Sequence, residues 1–350
     1  MLFMALMSVS TLFFDIFITW PLLKRVWPKK MMIIGTLLLA LFLGVLFLSN
    51  IYPQLIFLAP LCAGAYTWCF WLSFHYNTSL IHDKDKHFSA TYTNFAIFSN
   101  IGIACGPLLW WFLTSQYGIG WSVGIAFVLV FLSVVPLYFY EDIHARPKDA
   151  TISLWEFLSR FRWVVREEKS KIIYKTFAFV GYNYIIAGVI WPLLIFLFVT
   201  DFQKIGIIGS CTTMITILLL YVIWRQRKDT PTIIKTFSTI QWWNWNIWGI
   251  VTLLWLLINP LIVVIDIIQK ASTGVSDNTV DKYFFDHMSD DKDDKIYALL
   301  MREIGIHSMK IIFLVVFSVM YRLFPVSIAT LSLPMIISLV LVVLPRSVVK

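Results

Sequence analysis

The sequence predicts an all-α polytopic membrane protein with about eleven transmembrane helices, and two observations carry that prediction. Of 350 residues, 59% are hydrophobic and only 14% are charged, where a soluble domain carries about a quarter of its residues as charges; mean hydropathy is +0.79. The few charges are also segregated. Stretches 31–81, 88–140, 176–200, 205–224, 236–265 and 323–345 contain no Asp, Glu, Lys or Arg. About 20 apolar residues cross a bilayer core as a helix, so these runs hold most of the spans. The pattern excludes a secreted disulfide scaffold, a disordered chain and a cytosolic enzyme. Little mass remains outside the membrane, and any chemistry is expected within it or at its edge.

Turn signals divide the runs into elements. The first span is 1–23. The second, 31–49, stops at Asn50-Ile51-Tyr52-Pro53, and the third is 54–80. The fourth, 91–116, ends before Tyr117-Gly118-Ile119-Gly120, and 121–140 is the fifth. A polar connector follows. Spans 174–199, 205–224, 236–257, 260–288, 296–321 and 324–344 complete the set, with proline-marked breaks at Asn259-Pro260 and Phe324-Pro325. Within the connector, Ser153-Leu154-Trp155-Glu156 is a capping-box pattern. Apolar residues then recur at helical spacing among Arg160, Arg162, Arg166, Lys169 and Lys171, which reads as a helix lying on the inner membrane face.

Loop charge fixes the orientation. One set of loops holds twenty-one Lys and Arg residues, Lys24 and Arg25 through Arg346 and Lys350, and the other holds only Lys204 and Arg322. By the positive-inside rule the first set, and the carboxyl terminus, face the cytoplasm. The net charge of +8 is therefore loop charge, not a nucleic-acid surface. No RNA- or DNA-reading fold fits in the connector, and the sequence points to no required protein partner. Eleven spans put the amino terminus outside, which leads us to expect one further helix upstream. The start is not a signal peptide, since it lacks a basic leader and its apolar run is too long. Cys62, Cys69, Cys105 and Cys211 have no metal-ligand spacing and read as small packing residues. No cofactor or metal site is expected.

An internal repeat is visible. His75-Tyr76-Asn77-Thr78-Ser79-Leu80-Ile81-His82-Asp83-Lys84-Asp85-Lys86 aligns with Tyr283-Phe284-Phe285-Asp286-His287-Met288-Ser289-Asp290-Asp291-Lys292-Asp293-Asp294. Each ends a helix, passes an Asp/Lys loop and starts another helix. A second pair, Lys24–Lys30 against Trp224–Pro231, gives two short basic turns with a proline. Six helices separate the two Asp/Lys loops, so both copies face the same side and the repeat is parallel. Two parallel six-helix halves joined by a long cytoplasmic connector is the arrangement of major facilitator transporters. The whole chain resembles a member of the major facilitator superfamily lacking its first helix. The family's basic signature loop is matched at Leu22-Leu23-Lys24-Arg25-Val26-Trp27-Pro28-Lys29-Lys30, without its glycine and aspartate. The fifth-helix motif is partly kept in Gly102-Ile103-Ala104-Cys105-Gly106-Pro107, where Leu108-Leu109-Trp110-Trp111 replaces the following glycine pair. The resemblance implies an N-terminal bundle of five spans (1–140), a connector (141–173) and a C-terminal bundle of six (174–350).

Ionisable residues at membrane depth default to functional hypotheses. On 260–288, Asp266, Gln269, Lys270, Thr273 and Asp277 recur three and four apart and share one face. Lys270 lies about 15 Å below the outer end. The resemblance makes this helix the tenth and its polar face cavity-lining. Asp266 and Lys270 pair at i,i+4, either as a substrate or coupling site or as a structural ion pair. On the next helix, Glu303, His307 and Lys310 follow the same spacing beside Arg302. They suit a proton relay through carboxylate and imidazole, or a cytoplasmic gate in which Arg302 pairs toward Asp293 or Asp294. In the family register Tyr66, Trp68, His75, Tyr182 and Asn183 would face the same cavity, and such amphipathic aromatics suit an organic solute with a polar handle. Trp242-Trp243-Asn244-Trp245 reads as part of an interfacial belt. Asp15 stands alone in the first span and is expected either to oppose the positive gate side or to be a relic of the missing neighbour.

The function expected is secondary active transport of a small organic solute by alternating access, coupled to protons or another ion, in the plasma (inner) membrane. No G-x-x-x-x-G-K-[ST] occurs, so ATP-driven pumping is unsupported. The alternatives are an intramembrane lipid-handling enzyme, for which the His82–Asp83–Asp85–His87 loop is the candidate centre, and a degenerate transporter fold kept as a sensor or scaffold.

Overall fold

The computed structural model describes residues 2–18, 28–82, 88–139, 155, 156, 159, 162, 166–199, 202–225, 264, 266–270, 280, 281, 284, 285 and 292–324. Among them there is no strand. Helix α1 is Leu2–Phe17 and α2 is Pro28–Leu48. A 3-10 turn at Pro53–Phe57 leads into α3, Ala59–Thr67, which passes through a π-helical turn at Trp68–Leu72 into α4, Ser73–His82. Then come α5 (Phe88–Tyr117), α6 (Ile119–Leu132) and α7 (Val134–Phe139). Helix α8 (Glu168–Ile185) meets a second π-turn, Ile186–Ile190, before α9 (Trp191–Val199). The last two are α10 (Phe202–Arg225) and α11 (Lys292–Leu323).

Five described stretches are long and apolar enough to cross a membrane: Pro28–Leu48, Pro53–Leu80, Ile119–Phe139, Lys171–Ile195 and Lys295–Leu323. The chain is an integral membrane protein. Several of its intramembrane hydroxyls are consumed locally: Thr11 donates to the Met7 carbonyl at 2.9 Å, Thr36 to Met32 at 2.9 Å and Thr213 to Gly209 at 2.7 Å. A polar side chain whose hydrogen bond closes onto its own helix needs no water.

The boundaries follow their chemistry. Past the end of α2, Ser49 and Asn50 hydrogen-bond the carbonyls of Leu46 and Phe47 at 2.7 and 3.1 Å, and Pro53 opens the 3-10 turn. The break between α5 and α6 is Gly118, at φ +85°, a left-handed conformation that glycine adopts without steric cost. Three expectations need correction. The span expected at 54–80 is not one regular helix, since it contains a 3-10 and a π-turn. The span expected at 174–199 starts at Glu168 and carries the second π-turn, which Pro192 explains: its missing N–H removes the bond to the Gly188 carbonyl. The span expected at 121–140 breaks at Ser133. Spans 236–257 and 324–344, with the tryptophan cluster at 242–245, lie outside the described residues, as does most of 260–288. Of the connector helix, Trp155, Glu156, Ser159 and Arg162 are described, helical and exposed.

The chain forms two compact units, one of 1–85, 117–181 and 288–318, the other of 86–116, 182–287 and 319–350. In the first, α1 packs on α3, and α2 packs on α3, the first π-turn and α6. Close backbone approach requires glycine here. A Cβ on Gly64 would sit 2.6 Å from the Ser10 Cβ, and one on Gly35 would sit 2.7 Å from the backbone nitrogen of Phe70 in the π-turn. Helices α8 and α11 interlock in the same way, through Gly181 against Ile306 and Gly305 against Tyr174. Small residues that let backbones touch are the usual device for packing helices in lipid. In the second unit α9 packs on α10, and α10 meets α5 where a Cβ on Gly206 would lie 3.2 Å from Trp111.

The four thiols are free. Cys69 is buried and Cys62 half-buried, as packing residues should be, but Cys105 and Cys211 are exposed. That corrects the expectation for those two, and the reason is simple: an apolar thiol is as compatible with lipid as with a core.

Candidate functional site

The expected polar groups gather into two clusters, one in each unit. In the second unit, Asp266 and Gln269 are buried while Val264 and Ile268 are exposed, so this helix turns its polar face inward and its apolar face out. The Asp266 carboxylate is held on both oxygens. Trp191 Nε1 donates to Oδ1 at 2.7 Å, and Thr212 donates its hydroxyl to Oδ2. Lys270 Nζ reaches that same oxygen at 2.7 Å, Thr212 Oγ1 at 2.7 Å and the Gly209 carbonyl at 3.1 Å. Three acceptors match the three hydrogens of an ammonium. The expected i,i+4 pair is thus formed, within a network closed by α9 and α10. Asp277 and Thr273 lie outside the described residues. Tyr182 and Asn183 are fully buried in this unit, and both polar atoms of the Asn183 amide lack a hydrogen-bond partner among the described residues.

The first unit holds the second cluster. On α11, Arg302, Glu303 and His307 are buried. Arg302 donates to Glu303 Oε1, and His307 Nε2 lies 3.7 Å from Glu303 Oε2, so the expected carboxylate–imidazole pair is brought together. The guanidinium of Arg302 also lies over the Phe177 ring of α8, 4.9 Å from its centroid, a cation–π contact worth more away from water. The expected pairing of Arg302 toward Asp293 or Asp294 falls on side chains that are not among those described. Lys310 and His75 both interact electrostatically with Glu303. His75 is buried on α4, its ring 5.8 Å from that of Trp71. Tyr66 is half-buried one helix earlier, next to Phe70. Trp68, in the π-turn, stacks on Phe14 at 5.5 Å.

Asp15 belongs to this cluster, a placement its isolation in the first span did not indicate. It is 0% exposed, interacts electrostatically with Glu303, and neither of its carboxylate oxygens has a hydrogen-bond partner among the described residues. Lys295, near the start of α11, is also buried, and its Nζ lies 3.5 Å from the Ser79 carbonyl of α4. Sequence reasoning missed it by reading it as loop charge. Among the described residues no group of three His, Cys, Asp or Glu side chains is arranged to hold a metal ion. The His82–Asp83–Asp85–His87 loop has no described side chain.

No family model matches the sequence, and no curated protein matches it either. Solved structures do. The human organic anion transporter MFSD10 superposes with a TM-score of 0.72 at 11% identity, over 99% of this chain and 83% of that one. A variant of the E. coli fucose:proton symporter FucP gives 0.61 at 14% identity, over 99% and 90%. The structure of FucP in its outward conformation, described as a major facilitator superfamily transporter, gives 0.63 at 13% over 98% and 89%. The fold is that of the major facilitator superfamily.

On this major facilitator fold the expected cavity residues divide between the units. Tyr66, His75, Arg302, Glu303, His307 and Lys310 belong to the first; Tyr182, Asn183, Asp266 and Lys270 belong to the second. The sequence found both clusters through charges in otherwise charge-free helices. It did not find Trp191, Thr212 or Gly209, the neutral groups that hold the Asp266–Lys270 pair, for which an apolar helix offers no local signal.

Proposed function

We propose that the chain is a secondary active transporter, not an enzyme, moving a small organic solute across the plasma (inner) membrane by alternating access, with its carboxyl terminus in the cytoplasm and protons as the coupling ion. The observation that carries the proton assignment is the Glu303–His307 pair at 3.7 Å, buried in a membrane-spanning helix beside Arg302. Groups of this kind are expensive in a bilayer and are retained where ions or protons move. Arg302 holds the Glu303 charge, while His307 Nδ1 has no hydrogen-bond partner among the described residues. An imidazole with one nitrogen toward a carboxylate and the other open exchanges protons readily. The fold's likeness to a structure described as a fucose:proton symporter agrees with this reading, and likeness to one described as an organic anion transporter agrees with an organic solute.

Lys270 and Asp266 have the opposite character. Their network is complete, so in this reading they hold the second unit together, and Tyr182 and Asn183 are that unit's candidate contacts for solute, as Tyr66 is the first unit's. Arg302, clamped by Phe177 and Glu303, is the gate-side charge. The test is uptake by proteoliposomes of radiolabelled L-fucose and of fluorescein, as sugar and organic-anion probes, under an imposed pH gradient. Glu303→Gln should flatten the pH dependence of uptake while leaving passive exchange intact. An unchanged pH profile in that variant would reject the relay.

A further inference from the structure

Three helices of the first unit carry carboxyl and imidazole groups that interact electrostatically with Glu303, and one of the carboxyls, Asp15, has no hydrogen-bond partner among the described residues. Glu303 is held by Arg302 and faced by His307. Among the described residues the charges interacting with Glu303 are Asp15 of α1, His75 of α4, and Arg302, His307 and Lys310 of α11; α8 contributes the ring of Phe177. The helix that carries Asp15 packs on α3 and the π-turn, where Phe14 stacks on Trp68 and Ser10 lies against Gly64. Both its oxygens are buried without a hydrogen-bond partner among the described residues. A carboxylate in such a place is costly unless it is paired or neutral, and a second carboxylate nearby adds repulsion.

We propose that Asp15 is the proton-carrying carboxyl of this cluster, with Glu303 as the fixed, arginine-held carboxylate beside it. The step is a simple transfer. The O–H bond of protonated Asp15 breaks as its proton passes to a water, leaving an aspartate and a hydronium, and the reverse transfer reloads it. The assignment rests on the proton-coupled reading for its use, but not for its location: the proton's site is measurable without any solute.

The experiment is infrared difference spectroscopy of the purified full chain in lipid nanodiscs, stepped in pH. The unaltered protein should show a titrating carbonyl band of a protonated carboxyl. Asp15→Asn should abolish it, Asp15→Glu should restore it at a shifted frequency, and Glu303→Gln should move its titration without removing it. A band that survives in Asp15→Asn overturns the proposal, as does the absence of any titrating carboxyl band in the unaltered protein. Should Asp15→Asn not fold, side-chain 13C labelling decides. The band must shift with labelled aspartate in the unaltered protein and with labelled glutamate in Asp15→Glu. A band that shifts with labelled glutamate in the unaltered protein assigns the proton to Glu303 and overturns the proposal. If the band is that of Asp15 and proteoliposome uptake ignores the pH gradient, the transport reading fails while the proton site stands.

Discussion

Lys270 reaches three acceptors at once, and each lies on a different kind of group: a carboxylate, a hydroxyl and a backbone carbonyl. Such completeness makes the pair sensitive to losing one member, because the surviving Lys270, only 31% exposed, is left as a charge without its counterion. Asp266→Asn should destabilise the protein by about 1–3 kcal/mol, read as a fall in melting temperature and in yield. Asp266→Asn with Lys270→Met should recover most of that loss, since removing both charges leaves nothing uncompensated. If the single variant is as stable as the parent but loses gradient-driven uptake, the pair is a coupling site instead. At this scale the sequence was informative only over short distances. The i,i+4 pairs Asp266–Lys270 and Glu303–His307 are legible because helical spacing forces them together. The bonds from Trp191 and Thr212 to Asp266 join residues 75 and 54 positions apart, and the proximity of Asp15 to Glu303 crosses most of the chain.

At the scale of the elements, charge-free runs located the helices because a span must be apolar for its whole length. Irregularities within the runs stayed hidden: a π-turn alters hydrogen bonding without changing composition. Pro192 was the one local clue, and it marks the second π-turn. Helix contacts depend on single glycines. A Cβ on Gly181 would lie 2.8 Å from the Ile306 Cα, whereas one on Gly124 meets nothing within 4 Å. Gly181→Leu should therefore cost about 1–3 kcal/mol or more through overpacking, and Gly124→Leu should leave the melting temperature unchanged within error. Equal effects of the two would mean that α8 and α11 are not packed backbone to backbone. Burial separates central from peripheral elements in the same way. Of the apolar window in Lys171–Ile195, 67% is buried, against 6% in Ile119–Phe139, a contrast that the uniformly apolar sequences of the two do not reveal.

For the whole molecule, segregated charge gave the all-α membrane class, and the parallel repeat with its connector gave the fold that the solved structures share at 11–14% identity. Fold outlasts sequence here because a bilayer span constrains polarity and length far more than residue identity. The loop asymmetry makes a topological prediction. In a background lacking Cys62, Cys69, Cys105 and Cys211, Lys29→Cys and Lys292→Cys should react with an impermeant maleimide only from the cytoplasmic side. Labelling of either in intact cells would reverse the orientation and remove the parallel repeat. The central claim, proton-coupled transport through the Glu303–His307 cluster, is tested most directly by solute accumulation in proteoliposomes under an imposed pH gradient. The account predicts that L-fucose or fluorescein rises above its external concentration, that a protonophore collapses this accumulation, and that Glu303→Gln flattens its pH dependence. Uptake of both probes that merely equilibrates, indifferent to the gradient and to the protonophore, would contradict it.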